Sequence, residues 1–289
     1  MAPRRFPDVL GIGTQRSGTT WLWNNLIEHP DFFVPRYKEL DYLSQRGQVP
    51  KPERLKVRRA QLSALLDAQR RGEPDEPGLI EWFTRFAMAE RNDDDWYASL
   101  FHGVPADRLA VDFSPSYAQM DDTQVAHAHA LMPRARIVLM LRDPIDRAWS
   151  QLHFLASIGR APTIRTPADF QRWCHSAGVA QYHAYPSILQ RWRRAFGQDN
   201  VLVFFYEDVQ TDPMGLLRAL CTRLHVGFRT AWFDGTARTA IHKKTRSAIP
   251  EPFARAAAPV MLPHLVPLAA ELDGPPKQWL ARCTALLGM

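Results

Sequence analysis

A glycine-bearing loop near the amino terminus constrains the fold of this chain most strongly. The apolar run Val9–Gly13 has strand character, and a helical pattern opens near Thr19, directly after Gly18. The backbone N–H groups of such a turn and the positive end of the helix dipole point to one place, which therefore favours an anion. The unit predicts an α/β protein with an anion site at this loop.

The loop differs from the phosphate loop of nucleoside triphosphatases at one informative position. Gly13 and Gly18 have the spacing of the two glycines in that motif, and Thr20 stands where the motif ends in Ser or Thr. Thr19 replaces the lysine of the motif, and Arg16 inside the loop is the cation instead. Because that lysine reaches the β- and γ-phosphates in the triphosphatases, we expect this loop to hold a shorter anion.

A second strand, loop and helix follow in the middle of the chain. The apolar run 136–141 predicts a strand, and a helical pattern begins after Asp143-Pro144. Arg142 falls at the carboxyl end of the strand, where ligands bind in open α/β sheets, and Ser150 falls about two turns into the helix. One guanidinium and one hydroxyl can together hold a single phosphate.

These two segments resemble the nucleotide-binding motifs of the sulfotransferases. Those enzymes move a sulfuryl group from 3′-phosphoadenosine 5′-phosphosulfate (PAPS) to a hydroxyl or an amine. The resemblance implies that Arg142 and Ser150 hold the 3′-phosphate of PAPS. For Trp21, stacking on the adenine and packing under the helix are both open. The resemblance further implies that PAPS is bound by the loop residues Arg16, Ser17, Gly18, Thr19, Thr20 and Trp21, with the 5′-phosphosulfate held by the loop N–H groups, Arg16 and the two threonine hydroxyls.

A candidate base follows a short strand pattern and a turn at Pro35. A base is needed because an acceptor hydroxyl must lose its proton as the sulfuryl group arrives. Lys38-Glu39 resembles the Lys-Glu stretch of the heparan-sulfate-type sulfotransferases. That resemblance implies Glu39 as the general base, with Lys38 and Arg16 as cations that stabilise the transferring group. The alternative interpretation is a solvent-exposed ion pair in a loop.

The acceptor side resembles the heparan-sulfate type less closely. The likeness continues through residues 95–101 and 111–117, but Asp41 stands where family members often carry His, and Phe113 where many carry Lys. Both differences remove a potential positive charge, which predicts a less anionic or more apolar acceptor. Asp41, Phe113 and Tyr117 are the candidate acceptor-binding residues, and the two aromatic residues also fit core positions at a strand end.

A basic segment near the carboxyl end is the last candidate for nucleotide binding. Lys244 and Arg246 lie in a Lys-Thr-Arg sequence that resembles the Lys-Gly-Arg of a late loop in the family, which closes over the phosphates. The resemblance implies that both residues contact PAPS. Because Thr245 replaces the glycine of the family, a merely solvated loop is an equal alternative.

Strand and helix patterns alternate along the chain, which predicts a P-loop-like parallel sheet flanked by helices. Residues 51–90 are charged and lack strand patterning, so we expect a helical insertion that forms the acceptor side. The whole chain, residues 1–289, is predicted to be one sulfotransferase domain. The predicted strands are 9–13, 32–34, 109–112, 137–141 and 201–205, and the clearest helices are 19–28, 122–131 and 213–224.

The charge distribution, the apolar runs and the cysteines predict which kinds of ligand the protein binds and where in the cell it is found. The formal net charge is +6, but basic residues alternate with acidic ones and the basic cluster 51–59 has no aromatic residue, so no nucleic-acid partner is expected. The sequence shows no leader pattern and no apolar run approaching about 18 residues, which predicts a cytoplasmic protein without a transmembrane segment. The three cysteines have no metal-ligand spacing, so no metal is expected. The pattern does not predict an oligomeric state.

The predicted function is sulfuryl transfer from PAPS to a small-molecule or carbohydrate acceptor, with 3′-phosphoadenosine 5′-phosphate (PAP) as the product. Two alternatives stay open. A P-loop nucleotide or small-molecule kinase would place Asp112, at a strand end, near Mg²⁺, but the missing loop lysine weighs against it. A non-catalytic protein that binds 3′-phosphoadenosine would be favoured if Glu39 pointed away from the nucleotide pocket.

Overall fold

A parallel sheet forms the centre of the molecule. The computed structural model describes residues 4–74, 76–88, 91–233, 235 and 248–289. Five strands of this part of the chain form one parallel sheet in the order β2-β3-β1-β4-β5. The strands are β1 (Val9–Gly13), β2 (Phe32–Phe33), β3 (Leu109–Phe113), β4 (Arg136–Leu141) and β5 (Val201–Phe205).

Helices flank the sheet and connect its strands. The described residues contain thirteen α-helices, and a 3₁₀ turn, Pro115–Gln119, follows β3. The helices are α1 (Thr19–Ile27), α2 (Pro52–Arg70), α3 (Leu79–Ala87), α4 (Asp94–Ser99), α5 (Asp122–Leu131), α6 (Pro144–Ser157), α7 (Pro167–His175), α8 (Ala177–Ala180), α9 (Tyr185–Phe196), α10 (Tyr206–Thr211), α11 (Pro213–Leu224), α12 (Glu251–Glu271) and α13 (Pro275–Leu287).

The predicted α/β architecture is confirmed. All five predicted strands are present, and their bounds differ from the prediction by one residue at most. The reason is that a parallel sheet covered on both faces needs continuous apolar strands, which are easy to recognise in a sequence. The bounds of α5 and α11 also match, and α6 follows β4 as predicted. That the chain is a single domain stays a prediction.

The core consists of two apolar layers, one on each face of the sheet. Side chains alternate between the faces along each strand. Val9 and Val111 belong to one buried cluster with helices α1 and α11, whereas Leu10 and Ile12 belong to the other, larger cluster. The sheet is therefore buried on both sides, and its carboxyl edge is where ligands can reach it.

Gly11 makes room for an aromatic ring at the centre of the sheet. It pairs with Phe113 of β3, and a Cβ at this position would lie 2.0 Å from the Cδ1 atom of the Phe113 ring. Only a residue without a side chain fits there. The ring of Phe113 therefore packs over β1 and is only 2% exposed.

The predicted insertion is helical and is attached to the domain by a buried arginine. Residues 51–90 contain α2 and α3. Arg58 of α2 is 1% exposed, and its guanidinium carbon lies 4.3 Å from the ring centre of Phe86 and 5.0 Å from that of Trp96. Burial lowers the pKa of Arg58 to about 10. These cation–π contacts pack α2 against the aromatic core.

Among the described residues, helix α12 is long and apolar enough to cross a membrane, by length and composition alone. It packs against α6, α7, α9 and α13, and its buried side chains, such as Met261 and Leu265, belong to the larger core cluster. Of the most apolar stretch of α12, 44% is buried inside the described part of the chain. The absence of a transmembrane segment stays a prediction.

Candidate active site

The loop between β1 and α1 is shaped by internal hydrogen bonds and by glycine. The backbone N–H of Thr14 donates to the Met140 carbonyl at 2.6 Å, and the hydroxyls of Thr14 and Ser17 lie 2.7 Å apart. Gly18 has φ 89° at the start of α1, and a Cβ there would lie 3.1 Å from the Tyr206 ring. The loop therefore folds tightly at a helix N-terminus, the geometry that favours an anion.

The two predicted phosphate-binding motifs meet in space. Nε of Arg16 donates to the hydroxyl of Ser150 at 3.3 Å, and Nη1 of Arg142 donates to the backbone carbonyl of Arg16 at 3.2 Å. Ser150 is 4% exposed. Since β1 and β4 are neighbours in the sheet, their carboxyl ends bring two guanidinium groups and one hydroxyl to the same place. This concentration of positive charge suits a polyanionic ligand.

Two aromatic rings support the arginines, and neither was predicted from the sequence. The guanidinium of Arg16 lies 4.9 Å from the ring centre of Phe154, and that of Arg142 lies 4.3 Å from the ring centre of Tyr206. Tyr206 directly follows β5, so its place at the carboxyl edge of the sheet was a usable signal. Phe154 lies four residues after Ser150 on α6, on the same helix face.

The Lys38-Glu39 pair lies beside the phosphate loop. Nζ of Lys38 donates to the hydroxyl of Thr19 at 3.3 Å and to Oε1 of Glu39 at 3.1 Å. The backbone N–H of Glu39 donates to the carbonyl of Phe113 at 3.1 Å, which ties this loop to the end of β3. Glu39 has φ 66° and its side chain is 46% exposed. The structure thus places the predicted base next to the N-terminus of α1, with its carboxylate accessible.

Positive charges from separate segments are close together at this loop. Burial lowers the pKa of Lys38, the negative charges of Glu39 and Asp41 oppose that change, and the positive charge of Arg16 reinforces it. The side chain of Lys38 is only 13% exposed. Lys38 and Arg16 therefore lie close enough for their charges to interact, and their roles in catalysis stay predictions.

Asp41 is buried and forms an ion pair that the sequence did not indicate. Its Oδ2 accepts a hydrogen bond from Nη2 of Arg54 at 2.5 Å, and its Oδ1 accepts one from the hydroxyl of Ser116 at 2.6 Å. Its backbone N–H donates to the hydroxyl of Ser114, and its φ is 55°. Arg54 comes from α2, so the insertion contacts Asp41, one of the predicted acceptor-binding residues; that the insertion forms the acceptor side stays a prediction. Arg54 therefore supplies a positive charge next to Asp41, the position at which family members often carry histidine.

Removing Arg54 should destabilise the protein. The Asp41 side chain is 4% exposed, so Arg54→Met leaves a buried carboxylate without its cation, and we expect the free energy of unfolding to fall by about 1–3 kcal/mol. Adding Asp41→Asn should recover part of the loss. Urea denaturation measures both effects. Arg70→Met is the control, because the exposed Arg70–Asp67 pair of the same helix should contribute less than about 1 kcal/mol. Equal losses in the two arginine variants would contradict the prediction.

Several predicted ligand contacts lie in the core. Phe113, Tyr117 and Trp21 are 2%, 0% and 5% exposed. Phe113 packs on Gly11, and Trp21 packs in the cluster that covers α1. Their burial favours packing roles over direct contacts with acceptor or adenine, which stay predictions. Thr20, in contrast, is exposed at the first turn of α1.

Asp112 forms a buried hydrogen-bond network. Its Oδ2 accepts hydrogen bonds from the hydroxyls of Tyr97 and Tyr117 at 2.8 and 2.7 Å, and its Oδ1 accepts one from Ser114 at 2.8 Å. It is 1% exposed. Burial raises the pKa of Asp112 to about 6, although the three hydrogen bonds oppose the change. Both carboxylate oxygens are occupied by protein donors, which disfavours the Mg²⁺-facing role that a kinase would give to this residue.

The raised pKa of Asp112 predicts a pH dependence of stability. Its pKa is 3.8 without perturbation and about 6 in the folded state, so the folded protein binds more protons between these values. The contribution of Asp112 to stability should therefore decrease as pH rises from 4 to 6. The decrease over this range corresponds to about 2 kcal/mol. Denaturation at both pH values should show that the stability difference between the wild type and Asp112→Asn falls by this amount as pH rises, because other titrating groups, such as His183, contribute equally to both proteins. An exposed control, Asp107→Asn, should behave like the wild type, and a pH-independent difference between wild type and Asp112→Asn would refute the assignment.

Two predicted residues, Lys244 and Arg246, lie outside the described residues. Within residues 4–74, 76–88, 91–233, 235 and 248–289, no group of three or more His, Cys, Asp or Glu side chains is arranged to hold a metal ion. Cys174, Cys221 and Cys283 are buried and are not joined by disulfides. The site as described thus consists of cations, hydroxyls and one accessible carboxylate.

Comparison with known proteins agrees with this geometry. The model of the sulfotransferase family matches residues 7–230, which is more than half of the chain. The chain belongs to the sulfotransferase family. The matched range includes the phosphate loop, the Lys38-Glu39 pair and the Arg142 to Ser150 segment, and it ends before Lys244. The family resemblance of the sequence motifs is therefore confirmed.

Individual relatives share modest identity with this sulfotransferase. The chain is 24% identical over 230 residues to the bifunctional heparan sulfate N-deacetylase/N-sulfotransferase 3 of Homo sapiens. This alignment covers 72% of the chain and 21% of that protein. The chain is also 30% identical over 88 residues to sulfotransferase 2B1 of Homo sapiens. This alignment covers 30% of the chain and 24% of that protein. The matches therefore span about a quarter or less of these curated relatives.

Solved structures share the fold of this sulfotransferase. A sulfotransferase from Alicyclobacillus acidocaldarius aligns with a TM-score of 0.63 at 22% identity, and the alignment covers 95% of this chain and 99% of that one. The sulfotransferase domain of the olefin synthase from Synechococcus PCC 7002 aligns with a TM-score of 0.55 at 18% identity and the same coverage of both chains. Both comparisons confirm the predicted fold.

Proposed function

We propose that this chain transfers the sulfuryl group of PAPS to a hydroxyl or amine of a small-molecule or carbohydrate acceptor, with Glu39 as the general base. The observation that carries the proposal is the position of Lys38. Its Nζ donates to the hydroxyl of Thr19 at the start of α1 and to the carboxylate of Glu39. The side chain of Lys38 therefore bridges the candidate base and the phosphate loop. A base at that distance can act on an acceptor held next to the loop.

The donor set of the site fits PAPS. The loop N–H groups, the α1 N-terminus and Arg16 suit the 5′-phosphosulfate, and Arg142 with Ser150 suits the 3′-phosphate. The proposal is supported by the contacts of Arg16 with Ser150 and of Arg142 with the Arg16 carbonyl, which bring these groups together. Both phosphate positions of one nucleotide would then be held by neighbouring strands.

The proposed reaction is an in-line displacement. Glu39 takes the proton of the acceptor, and the acceptor oxygen or nitrogen forms a bond to sulfur. The bond between sulfur and the 5′-phosphate oxygen breaks, and PAP leaves. Lys38 and Arg16 stabilise the negative charge on the transferring group and on the departing oxygen, by analogy with phosphoryl transfer. Alignment and electrostatic stabilisation are what the protein supplies.

The two alternative functions are less well supported. A kinase would need a carboxylate for Mg²⁺, and Asp112 uses both oxygens for Tyr97, Tyr117 and Ser114. A non-catalytic nucleotide-binding protein would be favoured by a Glu39 that points away from the loop. Instead, Glu39 bonds to Lys38, which bonds to Thr19.

Two measurements test the function. Calorimetry should show binding of PAP and no comparable binding of ATP with Mg²⁺. Incubation with labelled PAPS and a panel of phenols, alcohols, sterols, amines and glycosides should give at least one sulfated product. Preference for ATP with Mg²⁺ would support the kinase alternative. Binding of PAP without any sulfated product would support the non-catalytic alternative.

A further inference from the structure

Helix α13, near the carboxyl end of the chain, reaches the turn that carries Arg142. Nη1 of Arg282, on α13, donates to Oδ2 of Asp143 at 2.6 Å and lies 3.1 Å from Oδ1 of Asp146. Asp143 directly follows Arg142, and its side chain is buried. Because a buried carboxylate is costly without a cation, we expect this ion pair to be a fixed part of the fold. Helix α13 is thus tied to the turn after β4.

A second contact ties α13 to the same turn. Nε1 of Trp279 donates to Oε1 of Glu207 at 3.1 Å, and the backbone N–H of Asp143 donates to the same oxygen at 3.1 Å. The buried ring of Trp279 also packs edge-on against the ring of Phe205, with 5.6 Å between the ring centres. One carboxylate therefore joins α13, the start of α10 and the turn after β4.

The peptide group that follows Arg142 is held at both of its polar atoms. Its carbonyl oxygen accepts a hydrogen bond from the hydroxyl of Tyr185 at 3.0 Å, and its N–H is the one bonded to Glu207. Glu207 directly follows Tyr206, whose ring centre lies 4.3 Å from the guanidinium of Arg142. The backbone and the side chain of Arg142 are therefore both held by residues at or next to the carboxylate that Trp279 contacts.

We propose that Arg282 and Trp279 are positioning residues that fix Arg142 for the 3′-phosphate of PAPS. This inference rests on the proposed function. A guanidinium binds a phosphate with less loss of entropy when its place is fixed before the ligand arrives. Helix α13 lies beyond residues 7–230, the range that the family model matches. The preference for a nucleotide with a 3′-phosphate therefore depends on a helix outside that range.

Two nucleotides that differ only in the 3′-phosphate test the inference. Calorimetry with PAP and with adenosine 5′-phosphate measures the preference for the 3′-phosphate as a ratio of dissociation constants. Arg282→Met should raise the Kd of PAP about two- to tenfold, the cost of ordering one long side chain on binding, and leave that of adenosine 5′-phosphate unchanged. Arg282→Lys keeps the cation and should recover most of the preference. Lower stability in urea with an unchanged ratio would show a merely structural role and refute the proposal.

Lys277→Met is the matched control. Lys277 also forms an ion pair on α13, with Asp273, but both side chains are exposed, so the variant removes the same charge and should match the wild type. Trp279→Phe is the second variant, which keeps an aromatic ring and removes the donor to Glu207. It should also reduce the preference for PAP, and it tests the proposal if Arg282→Met does not fold. An equal loss of preference in Lys277→Met would refute the proposal, because net charge would then explain the effect.

A double-mutant cycle tests whether α13 acts through Arg142. In the Arg142→Met background, Arg282→Met should cause little further loss of PAP affinity, because the guanidinium that it positions is already absent. Additive losses would refute the positioning role.

Failure of this inference differs from failure of the proposed function. If the wild type prefers PAP to adenosine 5′-phosphate and both α13 variants keep that preference, the inference fails while the proposed function stands. If the wild type does not bind PAP, the proposed function fails, and the inference that rests on it fails too.

Discussion

Replacing Glu39 with glutamine should reduce turnover by about 100- to 10,000-fold, the range that a general base contributes. The affinity for PAP should stay nearly unchanged. Glutamine has the size of glutamate and its amide oxygen can still accept the hydrogen bond from Lys38, so the loop should keep its position. What the variant loses is the ability to take a proton. The measurements are kcat with labelled PAPS and calorimetry with PAP.

The control for this variant is Glu76→Gln. Glu76 also forms an ion pair with a basic neighbour, Arg36, and its side chain is 50% exposed, similar to Glu39 at 46%. It should retain wild-type turnover. Unchanged kcat in Glu39→Gln would show that Glu39 is not the base. A large loss of PAP affinity would show that Glu39 acts in nucleotide binding instead.

Arg142→Met should weaken PAP binding by about 10- to 100-fold, because a hydrogen bond to a charged group contributes about 1.5–3 kcal/mol. The guanidinium is held between the Tyr206 ring and the backbone carbonyl of Arg16. It is therefore oriented before the ligand binds, and little entropy is lost on binding. At saturating PAPS, kcat should fall much less than the affinity. Calorimetry and initial rates at several PAPS concentrations distinguish the two effects.

The matched control is Arg134→Met. Arg134 is exposed and precedes β4, whereas Arg142 follows it, so the two arginines lie at opposite edges of the sheet. The control removes the same charge from the protein and should bind PAP like the wild type. A similar loss in both variants would mean that net charge, rather than a site at the carboxyl edge, determines affinity.

The sequence was sufficient to predict the sheet and the proximity of Arg16 and Arg142 at its carboxyl edge. Runs such as Val9–Gly13 and Val201–Phe205 are apolar without interruption, because both faces of the sheet are covered. Arg16 and Arg142 follow neighbouring strands, so the rule that ligands bind at the carboxyl edge places them together. The local sequence pattern and the sheet topology are enough to predict the position of a residue that directly follows a strand.

The acceptor side could not be predicted in the same way. Asp41 is paired by Arg54 from the inserted helix, and the Asp112 network draws on Tyr97, fifteen residues away. Such contacts depend on how whole elements pack, which residue types and spacings do not encode. The burial of Phe113 likewise depends on Gly11, in another strand.

The loop that carries Glu39 suggests how acceptor preference can be redesigned. Glu39 and Asp41 both have left-handed backbone conformations, which cost about 1 kcal/mol or more for residues other than glycine. Between them, Leu40 is 1% exposed in the hydrophobic core. Leu40 anchors the backbone independently of the two acids. An engineer can therefore replace Asp41 and Arg54 together and test the effect on acceptor preference, while the proposed catalytic carboxylate of Glu39 keeps its place.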